Sequence, residues 1–235
     1  MSTFKNKLLK LFMTGMLVLT SFAFLSCGGN GAGGEDNNSK SDIPSEEEVT
    51  ANLKALGDYD IVVEIDAVDS SEAMSLEMAK KGNIYWFVIA GGIGMAYKLE
   101  GNACYYYIGT PDENKNITWE YAAEGDADSI DEQMENSFGA SLFYASELPV
   151  DLVKGGSAVV AGRNCTKYTW SESAHGATVS ETVYIDNETG LCLKMEASDS
   201  YNGESESGSF EVTSFKTGSD VVAPDLPPAS PDSGE

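Results

Sequence analysis

Arginine and histidine are almost missing from this sequence, because Arg163 and His175 are the only residues of their kinds among 235. A single imidazole excludes most general-base and histidine-metal mechanisms. A single guanidinium group excludes most planar clamps for phosphate or carboxylate substrates. We therefore predict that the protein is not an enzyme, that it has no catalytic residues, and that it holds no metal and no cofactor.

Positive charge is scarce as a whole. The chain has 14 Lys and Arg against 38 Asp and Glu, which gives a formal net charge of −24. Binding to nucleic acid needs a positively charged surface, so nucleic acid is excluded as a partner. The 42% of hydrophobic and 10% of aromatic residues suffice for a packed core. The length suits one β-rich domain with a tether rather than two large domains.

Carboxylates are abundant, but their pattern does not define a site. Among 38 Asp and Glu, some pair always lies at a separation suited to glycoside hydrolysis, so such pairs carry no specificity. The run from Asp126 to Asp131 lacks an oxygen ligand at its fifth position and a glycine at its sixth, which excludes an EF-hand calcium loop.

Long hydrophobic runs are also absent, except for the 15 residues from Leu11 to Leu25, which follow three lysines near the N-terminus. This run is shorter than the roughly 20 residues of a membrane-spanning helix, so it predicts an export signal. The residues Phe24-Leu-Ser-Cys27-Gly resemble the lipobox of bacterial lipoproteins, with Phe24 where that family prefers Leu. The resemblance implies removal of residues 1–26 and acylation of Cys27. The alternative is an ordinary signal peptide followed by an incidental cysteine.

Acylation of Cys27 would attach the protein to a membrane through two or three acyl chains, which anchor stably where one chain does not. We therefore expect an extracytoplasmic protein on the outer membrane or on the outer face of the cytoplasmic membrane. Residues 27–44 are rich in Gly, Asn and acids and predict a flexible tether. Residues 45–219 form the folded domain, and residues 220–235 are predicted to be a disordered, acidic, Pro-rich tail.

Within the domain, the pattern predicts short strands and two helices. Ser45 and Glu48 form a capping box that begins a helix over 46–56, and Gly57 ends it. Six strands follow, predicted at 59–67, 73–80, 84–90, 95–100, 103–109 and 117–122, separated by short Gly and Asn turns. Apolar residues from Ile130 to Ala145 then recur at helical spacing, which predicts an amphipathic helix packed on the sheet. Four or more further strands bring the total to about ten.

Three cysteines remain in the folded domain after Cys27 is acylated, an odd number for an exported protein. If the hairpin turns centre near Ala174 and Glu188, Cys165 lies opposite Tyr184, and Cys192 then lies on the other face of the sheet. A Cys165–Cys192 disulfide is disfavoured in that register, although a shift of one residue would reverse the conclusion. We expect Cys104, Cys165 and Cys192 to be buried, reduced thiols.

The order of one helix, six strands, a helix and four or more strands resembles the LolA-like lipoprotein-carrier superfamily. The sequences that carry the resemblance are Val-Ala-Gly-Arg163-Asn-Cys-Thr-Lys-Tyr, Val-Tyr-Ile-Asp186-Asn-Glu-Thr-Gly-Leu-Cys-Leu-Lys-Met and Phe-Glu-Val-Thr-Ser-Phe215. The resemblance implies a mainly β (α+β) fold, an antiparallel half-open barrel with an N-terminal helix and an inserted lid helix, whose apolar face holds acyl chains.

These observations predict a monomeric carrier or sensor that binds a lipid or acyl chain between the sheet and the helix of Ile130 to Ala145. The residues predicted to line the site are large aromatics of the sheet and the lid helix: Trp86, Tyr106, Trp119, Phe138 and Phe143. For each, ordinary core packing is the alternative. A second class of function is also open, a surface interaction module with a filled core that binds a protein or a glycan.

Overall fold

The computed structural model of the chain describes residues 43–66, 73–89, 92–114, 116–126, 152–174, 177–201 and 204–229. The predicted signal peptide, Cys27, Phe138, Phe143, His175 and the predicted lid helix lie outside these residues. The tether is described only at its last two positions. None of the helices in the described ranges is long and apolar enough to cross a membrane.

The fold begins with helix α1 (Glu46–Leu56), for the local reasons that the sequence predicts. The Ser45 side chain accepts a hydrogen bond from the Glu48 backbone N–H at 3.3 Å, and Glu48 accepts one from the Ser45 N–H at 2.8 Å. Gly57 ends the helix with a positive φ of 69°, which glycine adopts without strain. Val49 and Leu53 on one face of α1 are buried against the sheet.

The described residues form one open antiparallel sheet of eleven strands, in the order β6-β5-β4-β3-β2-β1-β11-β10-β9-β8-β7. The mainly β, antiparallel prediction is confirmed, and the strands number eleven rather than about ten because every short apolar run forms a separate strand. Their bounds are β1 (Tyr59–Asp66), β2 (Met74–Lys81), β3 (Ile84–Ile89), β4 (Ile93–Glu100), β5 (Ala103–Pro111), β6 (Ile117–Asp126), β7 (Val153–Val160), β8 (Arg163–Ala174), β9 (Ala177–Asp186), β10 (Cys192–Tyr201) and β11 (Glu204–Thr217).

The sheet has two apolar faces, because strands such as β3 carry large apolar residues at successive positions. We call the side that packs against α1 the helix face; it includes the cross-strand row Ile61, Met78 and Phe87. The other side, the opposite face, includes the row Ala79, Trp86, Ala96 and Tyr107. Each face therefore has a hydrophobic cluster of its own.

The sheet coils at its β7 end. Strand β7 contacts β11 although β10, β9 and β8 lie between them in the hydrogen-bonding order. Val160 at the end of β7 consequently packs in the same cluster as Val212 of β11 and Ile61 of β1. This coiling encloses the core beneath α1.

After β11, a single 3₁₀ turn (Gly218–Asp220) leads into residues 221–229, which we call the C-terminal segment. It has no helix or strand, as the proline-rich composition predicts, yet it is packed against the sheet. Val221 is 2% exposed and joins the cluster of Trp86 and Tyr107, together with Ala223 and Leu226. The tail predicted from residue 220 thus begins with a segment that covers the opposite face.

Candidate functional site

The helix face carries an exposed apolar surface beyond the area that α1 covers. We call the residues Ile93, Met95 and Ile108 the apolar row; they are 56%, 37% and 50% exposed. Met95 lies opposite Phe87 of β3 on one side and Ile108 of β5 on the other. Large apolar side chains that remain exposed as a group are typical of ligand or partner sites.

The apolar row is continuous with the buried core. Ile93 lies opposite Ile89, which in turn lies opposite Leu76, a residue that is 9% exposed and packs beneath α1. Phe87, the neighbour of Met95, is 6% exposed. The same face of β3 and β4 therefore changes from buried to exposed without a polar boundary.

Two side chains at the edges of the apolar row limit what it can bind. Ile108 lies directly opposite Glu120 of the edge strand β6, and Glu120 is exposed. On the other side, Tyr97 follows Met95 along the strand and donates a hydrogen bond to the Met95 sulfur at 3.9 Å. The row thus ends at a carboxylate on one side and at a tyrosine on the other.

Tyr106, one of the predicted site residues, lies on the helix face beside the apolar row. It is half-buried, and its ring packs edge to face on that of Tyr97 with the centroids 5.2 Å apart. Burial raises the pKa of the Tyr97 hydroxyl.

Trp86 and Trp119, also predicted to line the site, lie together on the opposite face. Trp86 is 4% exposed, and its indole N–H donates to Glu77 at 2.6 Å. Trp119 packs in the same cluster. The sheet separates both from Tyr106, because Tyr106 and Tyr107 are successive residues of β5 and point to opposite sides. Of the predicted residues that are described, the structure thus unites the two tryptophans and places Tyr106 elsewhere.

The residues of the apolar row are not among those predicted from the sequence. The glycine-rich pattern around Ile93 and Gly94 predicts a turn, whereas β4 begins at Ile93. With the correct start, the alternation of Ile93, Gly94 and Met95 places the two large side chains on one face. That alternation was the signal available in the sequence.

A second, polar cleft of about 290 Å³ lies where α1 meets the β9–β10 turn, lined by Asn52, Ala55, Leu56, Arg163, Glu188, Thr189 and Thr217. Its arginine is already paired. Arg163 donates to Asp186 at 3.0 and 2.8 Å and to Glu188 at 2.9 Å. Asn52 donates to the Thr189 carbonyl at 2.7 Å, which fixes α1 to the turn. These contacts indicate a structural role.

The cysteines of the described domain are free and buried, as the sequence predicts. Burial raises the pKa of Cys165 to about 11 and that of Cys192 to about 12, so both are protonated thiols near neutral pH. Across the described ranges, no group of three His, Cys, Asp or Glu side chains is arranged to hold a metal ion.

No protein-family model and no curated protein matches this chain. Solved structures with similarity include MucB in complex with MucA(peri), at 16% identity and a TM-score of 0.30, covering 73% of this chain and 55% of that one. The structure of PNGF-II matches at 12% identity and a TM-score of 0.29, and the match covers 72% of this chain and 28% of the PNGF-II chain. An outer membrane lipoprotein-sorting protein domain from Vibrio parahaemolyticus matches at 9% identity and a TM-score of 0.22, and the match covers 76% of this chain and 95% of that domain.

This chain spans about half of the length of the MucB chain that it matches. TM-scores this low do not define a common fold.

Proposed function

We propose that this protein binds a hydrophobic ligand, a lipid or acyl chain, along the apolar row, and that it acts as a carrier or sensor without catalysing a reaction. The observation that carries the proposal is the exposure of Ile93, Met95 and Ile108 beside the buried side chains of Leu76 and Phe87. A ligand that covers the row would extend the core of the domain and remove this apolar surface from water.

The chemistry of the row specifies the ligand further. Each methylene that leaves water contributes about 0.8 kcal/mol, so affinity should increase with the length of an acyl chain. Met95 at the centre has a flexible, polarizable thioether that adapts to chains of different shape. The carboxylate of Glu120 at the end of the row, together with the net charge of −24, favours a neutral, zwitterionic or cationic head group over an anionic one.

Ligand binding is tested with the purified full chain carrying Cys27→Ser, which prevents acylation of the protein itself. Native mass spectrometry of protein prepared without detergent should show a bound species of lipid mass. Titration with fluorescent acyl cholines of increasing length should give about a tenfold gain in affinity for every two methylenes, until the row is covered.

The matching variants are Met95→Glu and Ile108→Glu, which place a charge in the row at exposed positions. Both should abolish uptake with little change in thermal stability. Val159→Glu is the control, because Val159 is a 67% exposed apolar residue on β7, at the other end of the sheet. A native mass equal to that of the protein alone, together with no uptake of acyl cholines, would contradict the proposal. That result would favour the interaction module with a filled core.

We also propose that Cys27 carries the acyl chains that hold the domain at the membrane. Metabolic labelling with a palmitate analogue should mark the wild-type chain and leave the Cys27→Ser variant unlabelled. An unlabelled wild-type chain that is cut at an ordinary signal-peptide site would contradict this part of the proposal and leave ligand binding unaffected.

A further inference from the structure

The opposite face of the sheet holds an aromatic groove that the chain fills with its own C-terminal segment. We define the aromatic groove by Trp86, Tyr107, Trp119 and Tyr121, which pack in one cluster with Val221, Ala223 and Leu226. The rings of Tyr107 and Tyr121 meet edge to face, with their centroids 6.1 Å apart. This face is not used by the ligand site proposed above.

Two glycines form a flat seat for Trp119 in the groove. Gly94 and Gly109 lie opposite each other on β4 and β5. A Cβ atom at Gly94 would lie 2.7 Å from Trp119 Cη2, and one at Gly109 would lie 2.9 Å from Cζ3. The indole therefore lies directly over the backbone of both strands, which leaves its edges and other side for contacts.

The exposure of the C-terminal segment repeats every three residues from Val221 to Pro228. Val222, Asp225 and Pro228 are exposed and the other residues of this stretch are buried or half-buried, while Ala229 after it is exposed as well. Val221 has φ −81° and ψ 128°. A three-residue period with extended dihedral angles and prolines is typical of a polyproline II helix. Aromatic-lined grooves that receive such helices are a common mode of peptide recognition.

Among the described residues, the hydrogen bonds that hold the segment lie at its beginning. Gly218 donates its N–H to the Asp58 carbonyl at 3.0 Å, and Lys81 donates to the Gly218 carbonyl at 2.8 Å while pairing with the Asp58 carboxylate at 2.9 Å. Within the described part of the chain, residues 222–229 form no hydrogen bond. In the described ranges they are held on the groove by apolar contacts, so they can leave it without breaking a backbone ladder with those residues.

We propose that the aromatic groove is a docking site for an extended, proline-containing segment of a partner protein, and that residues 221–229 occupy it as an intramolecular competitor. The segment is tethered directly to β11, so its effective concentration at the groove is of millimolar order. A partner segment therefore binds only when it is concentrated, when it binds more tightly, or when the C-terminal segment is displaced.

The same contacts define the chemistry of the partner. Its apolar residues take the places of Val221, Ala223 and Leu226, and every third residue faces solvent. The position of Asp225 faces outward on a chain of net charge −24, so a basic residue there is attracted to the protein. The partner segment is thus an apolar, proline-containing peptide with neutral or basic residues at every third position.

The test uses the full chain in a Cys27→Ser background with Ala96→Cys as a reporter. Ala96 packs in the same cluster as the segment and is 1% exposed, and the natural thiols of the described domain are buried. Leu226→Asp should release the segment, and the loss of about 1.4 kcal/mol of contact energy would raise the alkylation rate of Cys at position 96 about tenfold. Circular dichroism checks that the variant remains folded.

A synthetic peptide with the sequence of residues 221–229, and Lys in place of Asp225, should then slow alkylation of the Leu226→Asp variant in a saturable way. The same peptide with Asp in place of Leu226 is the control and should have no effect. No protection by the first peptide, or equal protection by both, would overturn the proposal.

If Leu226→Asp does not fold, the second measurement uses the Ala96→Cys chain with its natural segment. Alkylation should then be slow but measurable, and the first peptide should slow it further at millimolar concentration. A rate that matches global unfolding and does not respond to the peptide would show that the segment is a permanent part of the core, which also overturns the proposal.

Discussion

Arg163 donates two hydrogen bonds to one oxygen of Asp186, from Nε at 3.0 Å and from Nη2 at 2.8 Å. The one arginine of the chain is thus paired with a residue that is only 2% exposed. The same oxygen, Oδ2, accepts a hydrogen bond from the backbone N–H of Thr189 at 3.0 Å. The pair connects the start of β8 to the turn after β9, and the guanidinium also lies 4.6 Å from the ring centroid of Phe215. It therefore joins three parts of the chain that are distant in sequence.

Breaking this pair should be strongly destabilising. Arg163→Met would leave the Asp186 carboxylate buried without a counter-charge, and removal of one partner of a buried pair costs about 3–5 kcal/mol. Arg163→Lys keeps the charge but lacks the planar guanidinium, so it should lower the free energy of unfolding by an intermediate amount. Urea denaturation measures the free energy of unfolding. Glu188→Gln, which removes the exposed partner of the same arginine, is the control and should change little. An equal decrease in the free energy of unfolding for Arg163→Met and Glu188→Gln would contradict this account.

Glu77 should make stability depend on pH. Burial raises the pKa of its carboxyl, the hydrogen bond from Trp86 opposes the rise, and the nearby charge of Asp60 adds to it. The folded chain keeps this proton at pH values where the unfolded chain has lost it. The free energy of unfolding therefore falls as pH rises from the unfolded pKa to the folded pKa.

Two variants isolate the contribution of Glu77. Glu77→Gln keeps an acceptor for the Trp86 indole and removes the ionisation, so its stability relative to the wild type should increase across this pH range. Trp86→Phe removes the hydrogen bond that lowers the pKa, so the fall in stability should extend to higher pH. Denaturant titrations at a series of pH values measure both effects. Parallel profiles for the wild type and Glu77→Gln would refute the assignment.

The glycine seat of Trp119 can be tested by adding one methyl group. Gly94→Ala places a carbon 2.7 Å from the indole, and overpacking of this kind costs about 1–3 kcal/mol. The displaced indole should also change the tryptophan emission spectrum. Gly156→Ala is the matched control, because no atom lies within 4 Å of its added carbon. If both substitutions have the same effect on stability, Trp119 is not in contact with Gly94.

Local signals in the sequence predicted the local structure well. The capping box of Ser45 and Glu48 and the terminal Gly57 gave both ends of α1, since each acts within a few residues. The predicted β8–β9 register was wrong: Cys165 lies opposite Asp186 rather than Tyr184, because Ala174 pairs with Ala177 instead of standing at the centre of the hairpin. Two residues of shift keep the face of a side chain but change its partner.

The candidate site was harder to predict, because both faces of β3 and β5 are apolar. Composition could not decide which of Trp86 and Tyr106 lies on the same face as the apolar row. It also could not show that Val221 packs in the cluster of Trp86. The burial of Val221 depends on a contact between the end of the chain and the middle of the sheet. No local pattern in the proline-rich sequence indicates that contact. The extended conformation of the C-terminal segment was therefore predictable, whereas its packing on the sheet was not.

The buried thiols should be unreactive in the folded chain. Burial raises the pKa of Cys165 to about 11 and that of Cys192 to about 12, and the thiolate is the species that reacts. Native protein treated with iodoacetamide at mildly alkaline pH should remain unmodified at both residues, whereas protein in urea should be modified at both. Val159→Cys, at a position that is 67% exposed, is the reactive control.

The same shifts predict a loss of stability at alkaline pH. Unfolded thiols ionise at the ordinary pKa of 9.0, whereas burial raises the pKa of the folded Cys165 to about 11. Between these pH values the folded chain therefore holds a proton that the unfolded chain has lost. The free energy of unfolding should therefore fall as pH rises from 9.0 to about 11. Cys165→Ala should reduce this fall, because it removes the ionising group. Rapid native alkylation of Cys165, or an unchanged alkaline profile for Cys165→Ala, would show that the thiol is accessible to solvent.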